Sequence, residues 1–368
     1  MFLTKLSLQN YRNYEHVDFS TTANINLFVG PNAQGKTNLL ESIYVLALTK
    51  SHRTHQDKEW IGWNGQKALI HGEIEKKYGT CILDLQVSAQ GKRAKINGLE
   101  QRKLSEFIGQ LNVVMFAPED LEIVKGAPGV RRRFLDMEIG QVQPSYLHDL
   151  SQYQKVLVQR NNLLKQSSQH ASFATQLEVW NDQLVQFGIK IMKKRQSFIR
   201  KLQVWAETIH QGITNHSEQL RIVYNPSFAF DDSAQLSVLL DQFMVKLSQV
   251  KDQEIRRGLT LYGPHRDDLT FLINDKDVQT YGSQGQQRTT ALSLKLAEIE
   301  CIREEVGEYP ILLLDDVLSE LDTFRQTQLI ETFQGKVQTF ITTTGIESIK
   351  LDKLNHAAIY NVQDGKLV

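Results

Sequence analysis

Cysteine is scarce in this chain, with only Cys81 and Cys301 among 368 residues. The two stand too far apart for a metal-ligand spacing and are too few for a disulfide framework. Both are expected to be reduced, buried and inert, as in a cytoplasmic protein. Net charge is missing too, because 42 Lys and Arg residues balance 42 Asp and Glu. Composition therefore announces no nucleic-acid partner, and any basic surface must come from local clustering. No apolar run approaches the ~18 residues that a membrane span needs. The opening segment Met1-Phe2-Leu3-Thr4-Lys5-Leu6-Ser7-Leu8 lacks the apolar core and cleavage site of a secretory signal and reads as a first strand. Proline is sparse, at seven residues. What remains, 41% hydrophobic and 23% charged, is ordinary globular composition with length for two or three domains.

Against that plain background one segment stands out. Gly30-Pro31-Asn32-Ala33-Gln34-Gly35-Lys36-Thr37 spells G-x-x-x-x-G-K-T, a phosphate-binding loop. It follows the apolar run Ile25–Val29, which reads as a buried strand, and precedes Asn38–Leu46, which reads as a helix. Glycines let consecutive backbone N–H groups converge on phosphate oxygens, and the helix N-terminus adds its positive dipole end. Residues Gly30 to Asn38 are therefore the candidate ATP site. Lys36 would reach the β- and γ-phosphates, and the Thr37 hydroxyl would ligate Mg²⁺.

The rest of the chain falls into three stretches. Residues 1–127 are strand-rich. The runs 68–74 and 81–87 pair as a hairpin across Lys77-Tyr78-Gly79, further turns fall near 89–91 and 96–98, and 112–116 forms another apolar strand. Residues 128–255 are poor in Gly and Pro and read as an inserted helical lobe. There Leu177, Trp180, Leu184, Phe187 and Ile191 mark one packing face, and Val223-Tyr224-Asn225-Pro226 reads as a link to a helix over 234–251. Residues 256–368 return to strand and helix, with buried parallel strands at 311–315 and 337–342. The two ends thus build one α/β domain around the helical insertion.

A phosphate loop needs an acidic partner for its metal. Ile311-Leu312-Leu313-Leu314-Asp315-Asp316 is a buried strand ending in two carboxylates, the Walker-B arrangement. Asp315 would hold Mg²⁺ with Thr37, and Asp316 would polarise the attacking water. Lys36, Asp315 and Asp316 are the candidate catalytic residues. Upstream, Ser283-Gln284-Gly285-Gln286 opens a helix over 289–304 with Ser283 as a plausible N-cap. Glycine is a poor helix former, and its place in the first turn suits close approach to a phosphate. Downstream lies Ser319-Glu320-Leu321-Asp322.

The order of these motifs resembles the ATP-binding-cassette ATPases, whose signature is close to S-G-G-Q. The resemblance implies that Ser283, Gln284, Gly285 and Gln286 cap the nucleotide of a second subunit in trans. Two departures bear on rate: Asp316 stands where most members have glutamate, and Thr342-Thr343-Thr344 stand where many have a histidine. Both imply slow hydrolysis, a switch rather than a motor. Further stretches narrow the resemblance. They are Leu6–Tyr14, Thr49-Lys50-Ser51-His52-Arg53-Thr54, Pro118-Glu119-Asp120-Leu121, Gly129–Asp136 and Gly263-Pro264-His265-Arg266-Asp267-Asp268. Together they are similar, end to end, to the RecF family of bacterial DNA replication and repair proteins, an SMC-like branch. That resemblance implies an ATPase head, an ATP-dependent homodimer, and binding to DNA at gaps and single-strand/double-strand junctions. It also implies cooperation with RecR and RecO in loading RecA, a cytoplasmic location, and no membrane partner.

The candidate DNA contacts are Arg131 with Arg132 and Arg133, and Lys193, Lys194, Arg195, Arg200 and Lys201. Solvated helix faces would account for the same runs, and Arg131–Arg133 is ambiguous between DNA and an internal brace. His52 and Arg53 suit nucleotide, DNA or a structural role alike. His265-Arg266 reads as a hydrogen-bonded turn with Asp267 or Asp268 paired to Arg266, without a catalytic role. The alternative reading is the nucleotide-binding subunit of a membrane ABC transporter, separable by its partner. A GTPase is disfavoured by the absence of an N-K-x-D motif.

Overall fold

The structure, a computed structural model, describes residues 1–54, 56–166, 172–231, 233–345 and 357–368. It resolves into two compact units, Met1–Asp120 with Ala291–Val368, and Leu121–Thr290. The first is thus made from both ends of the chain.

The first unit holds two sheets. Strands β1 (Phe2–Tyr11), β2 (Tyr14–Ser20), β4 (Lys67–Lys76), β5 (Gly79–Ser88), β6 (Gly91–Ile96) and β7 (Leu99–Glu100) form an antiparallel sheet in the order β2-β1-β4-β5-β6-β7, while β3 (Ile25–Val29) belongs to the other sheet. In β4 and β5 alternate residues are buried, the period of a sheet with one face on the core. The second sheet takes β3, β8 (Val113–Phe116), and later strands β12 (Ile311–Asp315), β13 (Thr339–Thr343), β14 (Ala358–Gln363) and β15 (Lys366–Leu367), in the order β15-β14-β3-β13-β12-β8. Apart from the β14–β15 hairpin its neighbours run parallel. Every residue of β3, β8, β12 and β13 is buried, as a parallel sheet covered on both faces requires. Phe19 of β2 meets Phe28 of β3 and Tyr360 of β14 edge-on, with centroids 5.5 and 4.9 Å apart. These aromatic contacts tie the two sheets into one core. The helix Lys36–Leu48 is buried along nearly its whole length and packs against strands of both.

The second unit carries helices at Pro128–Val142, Pro144–Lys165, Phe173–Ile213 and Leu236–Arg257. It also has a small antiparallel sheet of β9 (Leu220–Asn225), β10 (Asp268–Ile273) and β11 (Lys276–Asp277). In the long helix Leu177, Leu184, Ile191 and Phe198 are buried, and Trp180 and Phe187 are half-buried. This unit extends beyond the expected 128–255 insertion at both ends. At the C-terminal end the reason is the strand pairing: β10 pairs with β9 along its length, from Asp268↔Asn225 to Ile273↔Leu220. The run 223–226, expected as a link, is therefore partly strand. Cys81 and Cys301 are buried. Among the described residues no helix is long and apolar enough to cross a membrane.

Candidate functional site

The loop between β3 and the helix Lys36–Leu48 is shaped by two glycines. A Cβ on Gly30 would fall 2.4 Å from the Val362 carbonyl oxygen on β14, so a larger residue would have to push the strand away. Gly35 sits at φ 114, a backbone region that disfavours side chains. Neighbouring groups then brace the loop. Tyr14 Oη donates to the Gly35 carbonyl at 3.0 Å, Asn13 Nδ2 to the Gln34 carbonyl at 3.2 Å, and the Asp364 N–H to Gln34 Oε1 at 2.7 Å. The helix beyond has no side-chain cap and no acidic residue in its first turn. Its leading N–H groups and dipole end are left for an anion.

Lys36 Nζ lies within this loop, donating to the Gly30 and Pro31 carbonyls at 2.6 and 2.7 Å. Burial pushes its ammonium below the usual lysine value, against the opposing pull of Asp316 and Asp315. The next residue reaches the acidic strand: Thr37 Oγ1 donates to Asp315 Oδ1 at 2.9 Å. Parallel pairing of β12 and β13 sets Asp315 beside Thr342. Thr342 Oγ1 donates to the same Asp315 oxygen at 2.7 Å and accepts from the Asp316 N–H at 2.9 Å. Asp316 itself takes a left-handed conformation, φ 54, which a non-glycine residue holds only when its surroundings fix it. The Thr37 hydroxyl and the Asp315 carboxylate are two hard oxygen donors at hydrogen-bond separation, and this suits Mg²⁺, which keeps most of its waters. These residues fit a magnesium-bound triphosphate.

The threonine at 342 therefore joins the Asp315 carboxylate to the backbone N–H of Asp316, a role that its departure from the common histidine did not disclose. The register of β13 on β12 reveals it. The side chains of Ser319 and Glu320 lie outside the described residues.

A second pair of motifs surrounds the loop helix. Arg12 clamps the buried Glu41 with Nε and Nη2 at 2.9 and 2.8 Å, and Ser51 Oγ adds a contact at 2.5 Å. Burial works to raise the Glu41 pKa, but these hydrogen bonds hold the carboxylate below its usual value. His52 lies edge-on to Tyr44 at 5.5 Å between ring centroids. Both of its ring nitrogens are buried without a hydrogen-bond partner, and burial pushes its pKa down. Arg53 is exposed and donates to Asn38 Oδ1 at 2.9 Å.

In the second unit, Ser283 and Gln286 form a reciprocal capping box at the start of the helix Gln284–Val306. The Ser283 N–H donates to Gln286 Oε1 at 2.9 Å, and the Gln286 N–H to Ser283 Oγ at 3.2 Å. Ser283 and Gln284 are exposed, and Gly285 and Gln286 half-buried. The expected N-cap is present.

The basic candidates divide. Arg195 is 1% exposed and donates to Tyr146 Oη, the Pro264 carbonyl, Asp267 and Asp136 at 3.0, 2.6, 3.2 and 2.8 Å. Arg131 is 3% exposed and grips Asp268 with two bonds of 2.6 and 2.9 Å. Neither reaches the surface, which corrects their assignment as DNA contacts. Packing against β10 and the Pro264 turn turns both inward. Arg132 donates to the Asp267 carbonyl, so Arg131 and Arg132 brace the unit from inside. The expected pairing of Arg266 is corrected as well: Asp267 is held by Arg195, Tyr224 and the Ser227 N–H, and Asp268 by Arg131. Lys194 bonds Asp149 at 2.8 Å. Arg200 is exposed, and Lys193 and Lys201 are half-buried.

Comparison with known proteins agrees with this geometry. The RecF/RecN/SMC N-terminal domain family matches residues 2–366. The DNA replication and repair protein RecF of Bacillus mycoides is 56% identical over 366 residues, covering 99% of this chain and 98% of that protein. The RecF of Bacillus subtilis is 53% identical, with 100% of each covered. A solved structure of the recombination mediator protein RecF with ATP, from the RecFOR pathway, superposes with a TM-score of 0.92 at 32% identity, covering 100% and 97%. The Smc head domain of Pyrococcus furiosus reaches 0.53 at 15% identity, covering 100% and 96%, a likeness of fold. The chain thus has the ATPase head fold of the cassette type, and the transporter alternative gives way. With full-length identity above one half to proteins of that name, the chain belongs to the RecF family.

Proposed function

We propose that this protein is an ATP-operated DNA-binding switch of replication and recombinational repair. The observation that carries the reading is the continuous hydrogen-bonded line from the phosphate loop through Thr37, Asp315 and Thr342 to Asp316. It joins the group that would sense phosphate to the backbone of the residue whose carboxylate would direct water. Lys36 would turn from the loop carbonyls toward the β- and γ-phosphates, the leading N–H groups of the helix would bind their oxygens, and Thr37 with Asp315 would hold Mg²⁺. The magnesium-bound triphosphate supplies the phosphoryl group and the charge that these residues are arranged to meet. Asp316, as the base, orients a water molecule; its short side chain suits slow turnover.

The exposed Ser283 and the first turn behind it cap the nucleotide of a second copy, so ATP favours the dimer over the monomer. The dimer holds duplex DNA and gapped or single-strand/double-strand junctions. Lys193, Arg200 and Lys201 provide salt-sensitive phosphate contacts, while Lys194 is held by Asp149. With RecR and RecO it helps load RecA, and hydrolysis releases the DNA. Sedimentation with Mg-ATP tests the trans-capping step. Wild type should dimerise and Ser283→Arg should remain monomeric while still binding ATP. Dimerisation of Ser283→Arg would overturn it.

A further inference from the structure

The capping box at Ser283 and Gln286 is itself held from behind. The Gln286 side-chain amide accepts from the Ser283 N–H through Oε1 at 2.9 Å and donates from Nε2 to Glu218 Oε1 at 2.9 Å. The other carboxylate oxygen, Glu218 Oε2, stands 3.1 Å from His210 Nε2. His210 is buried on the last turn of the long helix Phe173–Ile213. Glu218 is half-buried in the loop that joins this helix to β9. A line of hydrogen bonds therefore runs from the end of the long helix through His210, Glu218 and Gln286 to Ser283.

Each link has a direction. An amide side chain carries an acceptor at one end and donors at the other, in nearly the same shape. Turned over, the Gln286 amide would set its NH₂ against the Ser283 N–H, donor against donor. A carboxylate only accepts, so Glu218 fixes which way the amide lies. Within the box Ser283 Oγ accepts from the backbone N–H of Gln286 at 3.2 Å. The serine's own O–H is then left over on an exposed residue, without an acceptor among the described residues. That is the donor a phosphate oxygen requires.

The loop that carries Glu218 is secured without the box. Asn215 and His216 both take left-handed backbones, φ 49 and 60, which such residues hold only where their surroundings fix them. The His216 N–H donates to the Gln211 carbonyl at 2.8 Å and the Ser217 N–H to the Thr214 carbonyl at 3.1 Å. On the far side the Gln219 N–H donates to Asn274 Oδ1 at 2.9 Å, and its carbonyl accepts from the Asn274 N–H at 3.1 Å. Gln286, by contrast, has no acceptor for Nε2 other than Glu218 among the described residues. The dependence runs one way: the box needs the loop more than the loop needs the box.

We propose that Glu218 is a positioning residue for Ser283: it sets the Gln286 amide so that the serine offers its hydroxyl to the terminal phosphate of a nucleotide on a second copy, and His210 holds Glu218 in place. The inference rests on the trans-capping reading above and names the residues that make the cap competent. Burial pushes the His210 pKa down, against the pull of Glu218, so a neutral ring donates from Nε2 to the carboxylate.

The test uses the full-length protein and three measurements. They are Mg-ATP affinity at a protein concentration too low for dimers, dimerisation at saturating Mg-ATP by sedimentation, and the urea midpoint. Glu218→Ala should raise the dimer dissociation constant roughly tenfold, because each of the two symmetric sites loses its orienting bond. Its Mg-ATP affinity should stay within about twofold and its urea midpoint should not move. Glu218→Gln, whose amide oxygen can still accept from Gln286, should keep dimerisation within about threefold of wild type. In a Gln286→Ala background Glu218→Ala should add nothing, since it acts only through that amide. Wild-type dimerisation of Glu218→Ala overturns the proposal, as does a loss that adds in full to that of Gln286→Ala. So does a loss that follows a fall in the urea midpoint or in Mg-ATP affinity, or a Glu218→Gln protein no better than Glu218→Ala. If wild type stays monomeric with Mg-ATP, or Ser283→Arg dimerises, the trans-capping reading falls and this role with it. If Ser283→Arg is monomeric and Glu218→Ala dimerises as wild type does, only the role of Glu218 is lost.

Discussion

The phosphate loop and the arginine core of the second unit handle positive charge in opposite ways. At Gly30–Thr37 the potential comes from backbone N–H groups and one lysine, the first turn of the helix carries no acidic residue, and the facing carboxylates of Asp315 and Asp316 stand where a metal would join them. Around Arg131 and Arg195 four guanidinium bonds to carboxylates are closed inside the unit. The first arrangement keeps its charge for a ligand. The second spends it on cohesion: removing either partner would leave a buried charge uncompensated. A cluster of cations is thus a binding site only where its counter-charges are missing.

Substitution at Arg195 should give the largest effect. Arg195→Ala strands Asp136 and Asp267 and should destabilise the second unit by about 3–5 kcal/mol, read by urea unfolding. Arg200→Ala, on the exposed side of the same helix, should stay within about 0.5 kcal/mol. Similar losses at both positions would erase the distinction. At the loop, Lys36→Ala should weaken ATP binding roughly a hundredfold, the loss of hydrogen bonds between charged groups, while leaving the unfolding midpoint nearly unchanged. Calorimetry and a melting curve check the two halves together.

Acid should probe the buried turn of the second unit. Tyr153 Oη and His265 Nδ1 are 2.6 Å apart and His265 Nε2 faces the Thr260 carbonyl at 3.1 Å. A neutral ring that donates from Nε2 and accepts at Nδ1 satisfies both. Burial pushes its pKa down to about 4. The unfolded chain takes up this proton near about 6.5, so between those values it binds more protons than the folded one. The stability is complete above the unfolded value and is lost as pH falls toward the folded one, by roughly 2 kcal/mol between pH 7 and pH 5. His265→Gln should remove that share of the pH dependence, measured as the shift in urea midpoint. The smallest effects belong to the outer face. Lys193→Gln, Arg200→Gln and Lys201→Gln should each flatten the salt dependence of duplex binding by about 0.9 in slope, with little change in stability.

Much of the head is legible in the chain because its signals are local. A buried run ending at Val29, two glycines and a lysine at fixed offsets define the loop without reference to anything distant. The strand that ends at Asp315 is an equally local signal. The direction of an arginine is another matter. Arg131 is satisfied by Asp268, 137 positions away, and no spacing rule reports that encounter. Strand β9 is hidden for a related reason: its partner β10 lies beyond the long helix Leu236–Arg257, so the hairpin signal that exposes β4 and β5 is missing. Thr342 is a further case, taking its role from strand register.

The central claim is that ATP in the loop controls DNA binding. It is tested most directly by titrating a gapped duplex at fixed salt, with fluorescence anisotropy, in the presence and absence of Mg-ATP. The account predicts tighter binding with Mg-ATP for wild type and no such gain for Lys36→Ala. Equal affinity with and without nucleotide, or a gain that survives Lys36→Ala, would contradict it.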